Sequence, residues 1–192
     1  MSDYVFNRES IRSFHFIDCQ FNAQSGVATL QYAFDNGPVF AEQITFPGAP
    51  FVLDNVKQQA LTHALQTLHL IAGVSYYKAA VPETIVIDHY TIDADTADFL
   101  TSIYENGLGE FAYRNNLSLR GKIKFPYIPS SGSLSHLLPE REGKTNASTL
   151  GLNNHALVAI GGGKDSLVSI ESLRRMNIPQ TVTWIGSAPL IR

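Results

Sequence analysis

Residues 157–170 constrain this chain most, because an apolar strand there runs into three glycines and then a predicted helix. The segment reads Leu-Val-Ala-Ile-Gly-Gly-Gly-Lys-Asp-Ser-Leu-Val-Ser-Ile. Glycine tolerates positive φ and has no Cβ, so a ligand can approach the main-chain amides closely. A helix that begins near Asp165 or Ser166 adds free N–H groups and the positive end of its dipole. The segment therefore predicts a turn that binds phosphate.

Two other glycine motifs do not fit this spacing. A Walker loop has Ser or Thr after its Lys and Gly six residues before it, whereas this chain has Asp165 and Val158 there. A dinucleotide fingerprint needs an acidic residue at the end of the second strand. The predicted second strand, residues 181–185, is followed by Gly186 and Ser187 instead. A tight strand-to-helix turn without a ligand stays open as an alternative.

The remaining pattern is Ser-Gly-Gly-x-Asp-Ser of the PP-loop ATP pyrophosphatases, which residues 161–166 resemble with glycine in place of the first serine. The resemblance implies that the loop holds the β,γ-pyrophosphate of ATP while a substrate oxygen attacks the α-phosphorus. Asp165 would repel phosphate unless it caps the helix or shares Mg²⁺ with the nucleotide, and the resemblance favours Mg²⁺. The residues predicted to bind ATP are Gly161, Gly162, Gly163, Lys164, Asp165 and Ser166.

Composition and charge restrict the class of protein. The chain has 192 residues, is 44% hydrophobic and carries a net charge of −3. It has no basic run, so we expect no nucleic-acid partner. The single cysteine, Cys19, excludes a disulfide framework within the chain and suits a reducing compartment. Without a targeting segment or a long apolar run, we expect a cytoplasmic protein with no membrane partner.

An antiparallel sheet is predicted over residues 10–46. Apolar and polar residues alternate from Ala28 to Phe34, which is the period of a strand with one buried face. Asn36-Gly37 is expected to supply the positive φ angles of a hairpin turn to the next strand. A further short strand is predicted at residues 84–87.

Helices are predicted on either side of that short strand. From Val56 the apolar residues recur at three and four, with Asp54 or Asn55 as cap and Gly73 as stop. His63 and His69 lie six apart on this helix, so we expect surface or core-edge histidines and not metal ligands. Asp93 is predicted to open a second helix that runs to about Asn106.

These elements predict an α+β N-terminal domain, an antiparallel sheet plus helices, over residues 1–128. Residues 129–153 are rich in Ser, Gly, Pro and charge, which predicts a linker or mobile loop. Residues 154–192 then form the first βαβ unit of an α/β PP-loop nucleotide-binding domain. Because such a domain needs more strands, we expect it to be incomplete at Arg192 and this chain alone to be inactive.

Two further segments carry a more specific resemblance. They read Leu68-His-Leu-Ile-Ala-Gly-Val-Ser-Tyr-Tyr-Lys78 and Ile103-Tyr-Glu-Asn-Gly-Leu-Gly-Glu-Phe-Ala-Tyr-Arg-Asn115. Together with the glycine turn, they resemble the N-terminal part of the UDP-N-acetylmuramoyl-L-alanyl-L-glutamate epimerase family, MurL. The resemblance implies ATP, Mg²⁺ and a UDP-MurNAc-dipeptide substrate, whose terminal L-glutamate is inverted to D-glutamate for peptidoglycan synthesis. It leaves the oligomeric state open.

Residues that could transfer the proton lie in these two segments. Their acidic, basic and phenolic side chains occur near small residues suited to a cleft. Packing, a solvated surface, or a plain i,i+4 ion pair between Glu110 and Arg114 remain the alternatives. Another PP-loop adenylating enzyme, such as an amide synthetase, and a non-catalytic nucleotide-binding module also stay open. The catalytic candidates are Tyr76, Tyr77, Lys78, Glu105, Glu110 and Arg114.

Overall fold

The computed structural model describes residues 6–129, 150–161 and 163–184. The chain divides into two compact units, Met1–Gly143 and Lys144–Arg192. Most of the predicted linker, residues 130–149, lies outside the described residues, so its boundaries stay a prediction.

The first unit contains a mixed four-stranded sheet. Its strands are β1 (Ser13–Asn22), β2 (Val27–Phe34), β3 (Phe40–Thr45) and β4 (Thr84–Ile87), in the order β3-β2-β1-β4. The predicted antiparallel arrangement of the first three strands is confirmed. The short strand β4 also forms where the sequence predicts it, but it pairs in parallel with β1. The α+β class of this unit is therefore confirmed.

Within residues 6–129, four helices accompany this sheet, and two of them are the predicted ones. Asp54 accepts a hydrogen bond from the Lys57 main-chain N–H at 2.8 Å, and Asp93 accepts one from Thr96 N–H at 2.9 Å. Both aspartates are thus N-caps, which satisfy donors that a helix start leaves free. Within the described ranges, no helix is long and apolar enough to cross a membrane. The helices are α1 (Asn55–Ala72), α2 (Val74–Tyr77), α3 (Ala94–Gly107) and α4 (Gly109–Arg114).

The turn after β2 differs from the prediction. The positive φ lies at Asp35, at 47°, and not at Asn36 or Gly37. The Asp35 carboxylate accepts hydrogen bonds from the main-chain N–H groups of Arg12 at 3.0 Å and Ser13 at 2.7 Å. These bonds tie the turn to the start of β1, which explains why the left-handed residue is an aspartate. Desolvation raises the pKa of Asp35, but the hydrogen bonds outweigh it and the net pKa is lowered.

Buried tyrosines hold the end of α1 inside the core. The Tyr32 hydroxyl donates to the His69 carbonyl at 3.1 Å, and the Tyr104 hydroxyl donates to the Leu70 carbonyl at 2.6 Å. The His69 carbonyl also accepts from the main-chain N–H of Gly73 at 3.1 Å, so the Tyr32 hydroxyl adds a second hydrogen bond that ties the end of α1 to β2. Many of the buried side chains around them are aromatic. They include Phe14, Phe16, Tyr32, Tyr77 and Tyr104.

His69 lies in the same core, not at its edge as the sequence suggests, whereas His63 is exposed. Its Nε2 is 2.9 Å from the Gln31 carbonyl, and its Nδ1 is 2.9 Å from the Tyr90 hydroxyl. Because a carbonyl only accepts, Nε2 carries the hydrogen and Nδ1 accepts from Tyr90. His69 is therefore a neutral, fully partnered core residue.

Stability is expected to fall as the pH drops below about 6.5, the ordinary pKa of histidine. Burial lowers the pKa of His69 and outweighs the opposing effects of Gln31 and Asp18. The unfolded state therefore binds more protons in this window, so the free energy of unfolding decreases as the pH falls. Urea unfolding at pH 7.5 and 5.5 measures this change. His69→Gln should flatten the pH dependence and His63→Gln should keep it; equal slopes in both variants would contradict this assignment.

The second unit is a strand-helix-strand segment. Strand β5 (Ala156–Ala159) leads into α5 (Lys164–Arg175), and β6 (Gln180–Thr183) pairs with β5 in parallel. The predicted succession of strand, glycine turn, helix and strand is therefore confirmed, with α5 starting one residue early. Among the described residues of α5 none is buried, and Leu167, Val168 and Met176 are exposed.

Candidate functional site

The glycine turn of the second unit borders a pocket of about 400 Å³. Residues from the end of β5, the turn and the first turns of α5 form its wall. Four of the six residues predicted to bind ATP meet there, whereas Lys164 does not line the pocket and Gly162 lies outside the described residues. The lining residues are Ala159, Gly161, Gly163, Asp165, Ser166 and Ser169.

The two described glycines of the turn leave open space above the main chain. Neither Gly161 nor Gly163 has a positive φ, so these two residues do not use the conformational freedom that glycine allows. A Cβ added to either residue would meet no described atom within 4 Å. Packing within the described chain therefore does not require glycine at these positions. What glycine provides here is close access to the main-chain amides from the pocket.

The start of α5 is free of side-chain caps. Gly163 is the N-cap residue, with φ −93° and ψ 170°, and no side chain caps the helix. Asp165 lies within the first turn, so its expected alternative role as a cap is wrong. The Ser166 hydroxyl donates to the Gly163 carbonyl at 2.9 Å, which leaves its oxygen able to accept a hydrogen bond or contact a cation. The uncapped amides suit an anionic ligand.

Asp165 is suited to a cation that a bound phosphate chain helps to hold. The described residues contain no group of three or more His, Cys, Asp or Glu side chains placed to bind a metal. Mg²⁺ commonly takes one or two protein carboxylates and completes its shell with phosphate oxygens and water. One exposed carboxylate beside an open pocket fits that pattern, whereas a site made of protein ligands alone does not.

In the first unit, Tyr76 and Tyr77 point their hydroxyls at different partners. The Tyr76 hydroxyl donates to the Glu42 carboxylate on β3 at 3.3 Å. The Tyr77 hydroxyl is buried and donates to the Pro82 carbonyl at 3.1 Å, and desolvation raises its pKa to about 12. Lys78 is exposed. The structure therefore does not bring these three neighbours to one reacting centre.

Glu105, Glu110 and Arg114 make local contacts. The Glu105 carboxylate accepts a hydrogen bond from the main-chain N–H of Gly121, whose φ is +73°. Glu110 and Arg114 form an exposed i,i+4 ion pair at 2.8 Å, as the alternative reading of the sequence expected. The catalytic roles of all six candidates stay predictions.

The sequence did not predict a polar network that begins on the first strand. The imidazole of His15 has Nδ1 3.2 Å from the Asp88 carboxylate and Nε2 3.0 Å from the Ser13 hydroxyl oxygen. This order resembles a Ser-His-Asp triad. However, the Ser13 hydroxyl is also 2.9 Å from the Asp35 carboxylate, which can only accept its hydrogen. The network therefore ties β1 to β4 and to the turn after β2.

The sequence also did not predict a basic cleft in the first unit. It has a volume of about 640 Å³ and combines residues 8–12, 77–83 and 117–124. One local pattern in the sequence indicates part of this cleft, because Lys122 and Lys124 alternate with the buried Ile123 and Phe125. The arginines that join them lie more than a hundred residues earlier in the chain. The basic residues of this cleft are Arg8, Arg12, Lys122 and Lys124.

Fold and sites define a two-unit protein, an α+β unit followed by a strand-helix-strand unit whose glycine-rich turn borders an open pocket. A family model described as the MurL N-terminal domain matches residues 5–192. The chain therefore belongs to the MurL N-terminal domain family, which confirms the resemblance seen in the sequence.

Curated relatives agree with this membership. The chain is similar to proteins named UDP-N-acetyl-alpha-D-muramoyl-L-alanyl-L-glutamate epimerase. Identity is 54% with the protein from Xanthomonas oryzae pv. oryzae, over 98% of this chain and 39% of the relative. It is 34% with that of Salinispora tropica, over 85% and 34%, and 36% with that of a Micromonospora species, over 86% and 35%. The chain thus spans less than two fifths of these relatives. No solved structure matches significantly.

Proposed function

We propose that this chain serves the ATP-dependent epimerisation of the terminal L-glutamate of UDP-MurNAc-L-Ala-L-Glu to D-glutamate. The observation that carries the proposal is 54% identity, over 98% of this chain, with a relative named as an epimerase of this dipeptide unit. The open glycine turn adds independent support, because it offers main-chain amides to a phosphate chain.

Adenylation explains why an epimerase would use a nucleotide. A proton α to an ionised carboxylate is weakly acidic, because its removal would leave a dianion. In the proposed reaction a carboxylate oxygen attacks the α-phosphorus of ATP, and the bond to pyrophosphate breaks. A base then takes the α-proton of the neutralised acyl group, and an acid returns a proton on the opposite face. Water finally hydrolyses the mixed anhydride to carboxylate and AMP.

The residues of the turn have distinct proposed roles in this reaction. The amides at Gly161 and Gly163 bind the β,γ-pyrophosphate, with the uncapped start of α5 adding the positive end of its dipole. Lys164 supplies a counter-charge, and Ser166 contacts the phosphate through its hydroxyl oxygen. Asp165 would hold Mg²⁺, which neutralises charge on the leaving pyrophosphate.

Heavy water tests the proposal with the polypeptide that carries this sequence in its natural host. Given UDP-MurNAc-L-Ala-L-Glu, ATP and Mg²⁺ in D₂O, we expect deuterium at the glutamate α-carbon together with AMP and pyrophosphate. Mass spectrometry of the recovered glutamate measures the label. An amide synthetase would leave that carbon unlabelled, and a non-catalytic module would release no AMP; either result would refute the proposal.

Two ATP analogues locate the bond that breaks. An analogue with a β,γ-imido bridge retains the ordinary α–β anhydride bond. That bond can still break, so the analogue should still support labelling. An analogue with an α,β-methylene bridge should block labelling, because the pyrophosphate cannot leave. The opposite pattern would mean attack at the γ-phosphorus and an acyl phosphate in place of the adenylate.

A further inference from the structure

The basic cleft of the first unit concentrates positive charge on an otherwise acidic chain. Four cations and two carboxylates, Glu9 and Glu83, line it, which leaves a net charge of +2. The whole chain carries −3. Like charges gathered in one concave site repel one another and raise the local concentration of anions. The cleft is therefore built to receive an anion.

The four cations of the cleft have no ion-pair partner among the described residues. Within residues 6–129, 150–161 and 163–184, no carboxylate lies within ion-pair distance of Arg8, Arg12, Lys122 or Lys124. Other exposed cations of the chain, such as Lys57 and Arg114, do have such partners. An anion that entered the cleft would not have to break existing ion pairs, and the charge-assisted hydrogen bonds it formed would be a net gain.

Two of the cations stand on a segment that the core and a hydrogen bond hold in place. Ile123 and Phe125 are buried on either side of Lys124, and they fix the direction of the lysines beside them. Just before them, Glu105 holds the left-handed turn at Gly121. The lysine main chain is therefore anchored before any ligand arrives, which lowers the entropic cost of binding.

Part of the lining of the cleft is buried and largely apolar. Buried residues from three parts of the chain form it, and the cleft volume of about 640 Å³ lies within the usual range for organic ligands. An inorganic anion has no group that packs on apolar side chains, whereas the sugar or base attached to an organic phosphate does have one. The buried residues are Ile11, Tyr77, Pro82 and Leu119.

We propose that this cleft binds the diphosphate of the nucleotide-sugar substrate. The inference rests on the proposed function, which requires a substrate with a UDP group. Such a diphosphate carries one negative charge on each phosphorus, which matches the net charge of the lining residues. The proposed ATP site, the glycine turn, belongs to the other unit, so the two polyanions would have separate sites.

The 192-residue chain and UDP-N-acetylglucosamine provide the test. Calorimetry in the presence of saturating ATP should show binding that weakens as salt increases, because salt screens exposed charges. Uridine and N-acetylglucosamine should not bind measurably. The double substitution Lys122→Gln and Lys124→Gln should weaken binding about tenfold, since two charge-assisted contacts are lost. Arg120→Gln removes a charge from the same segment but outside the cleft, and it should change the affinity less than twofold.

Failure of this inference and failure of the proposed function are distinguishable. Absent or salt-independent binding, or equal affinity in the lysine and arginine variants, would overturn the inference. It would do so even if the heavy-water experiment labels the glutamate. Conversely, binding that depends on the two lysines supports the inference even if no label appears. Thermal unfolding of each variant checks that the fold is intact.

Discussion

Gly73→Ala is expected to destabilise the first unit by about 3 kcal/mol. Gly73 joins α1 to α2 and lies against two buried rings of the sheet. A Cβ added there would overlap Cε1 of Phe16, and it would lie 2.9 Å from Cζ of Phe16 and 3.1 Å from Cε1 of Tyr32. Phe16 and Tyr32 are fully buried in a packed core, so neither ring can move without displacing others.

Gly107→Ala is the matched control, because this glycine ends α3 and has an exposed position. A Cβ there would meet no described atom within 4 Å, and its φ is not positive. Alanine favours the helix, so we expect a change within about 1 kcal/mol and of stabilising sign. Urea unfolding followed by circular dichroism measures both variants. Similar stabilities for the two would show that the close approach at Gly73 does not limit the packing.

Gly161→Val is expected to lower the affinity for ATP more than a hundredfold while the melting temperature stays unchanged. The branched side chain would fill the open space above the turn, where the proposed pyrophosphate approaches the amides. Because no described atom lies within 4 Å of a Cβ added there, the described residues leave room for the start of the new side chain in the free protein. Calorimetric titration with ATP and Mg²⁺ measures the affinity.

Met176→Val controls for the added residue type in the same unit. Met176 is exposed after the end of α5 and does not line the pocket. This variant should bind ATP as the parent chain does. Unchanged affinity in Gly161→Val would refute the placement of phosphate at the turn. A large loss of stability in that variant would instead show that the glycine is needed for the fold.

Elements with a local signal were predictable from the sequence. The cap at Asp54 and the three-four spacing after it gave the start of α1, and Asp93 did the same for α3. The alternation from Ala28 to Phe34 gave the buried face of β2. Each signal lies within one turn or one strand, where the chain's own geometry sets which residues share a face.

The glycine turn was predictable as an element, but its conformation was not. Strand, turn and helix occur in the expected order, and Gly161 and Gly163 border one pocket with Asp165. The two described glycines do not adopt the positive φ that glycine permits. Glycine permits a left-handed backbone without requiring it. The sequence alone therefore could not decide whether these positions are glycine for their backbone conformation or for the access they leave to the main-chain amides.

The sequence by itself determined α1, α3, α5, the antiparallel strands and the position of the glycine turn, because each depends on neighbours a few residues apart. The tertiary structure alone decided that β4 pairs in parallel with β1, that His69 lies in the core and that Glu105 holds Gly121. It also decided that basic residues from both ends of the first unit meet in one cleft. Such contacts join residues far apart in the chain, and no local pattern records which distant partner a buried or charged side chain will meet.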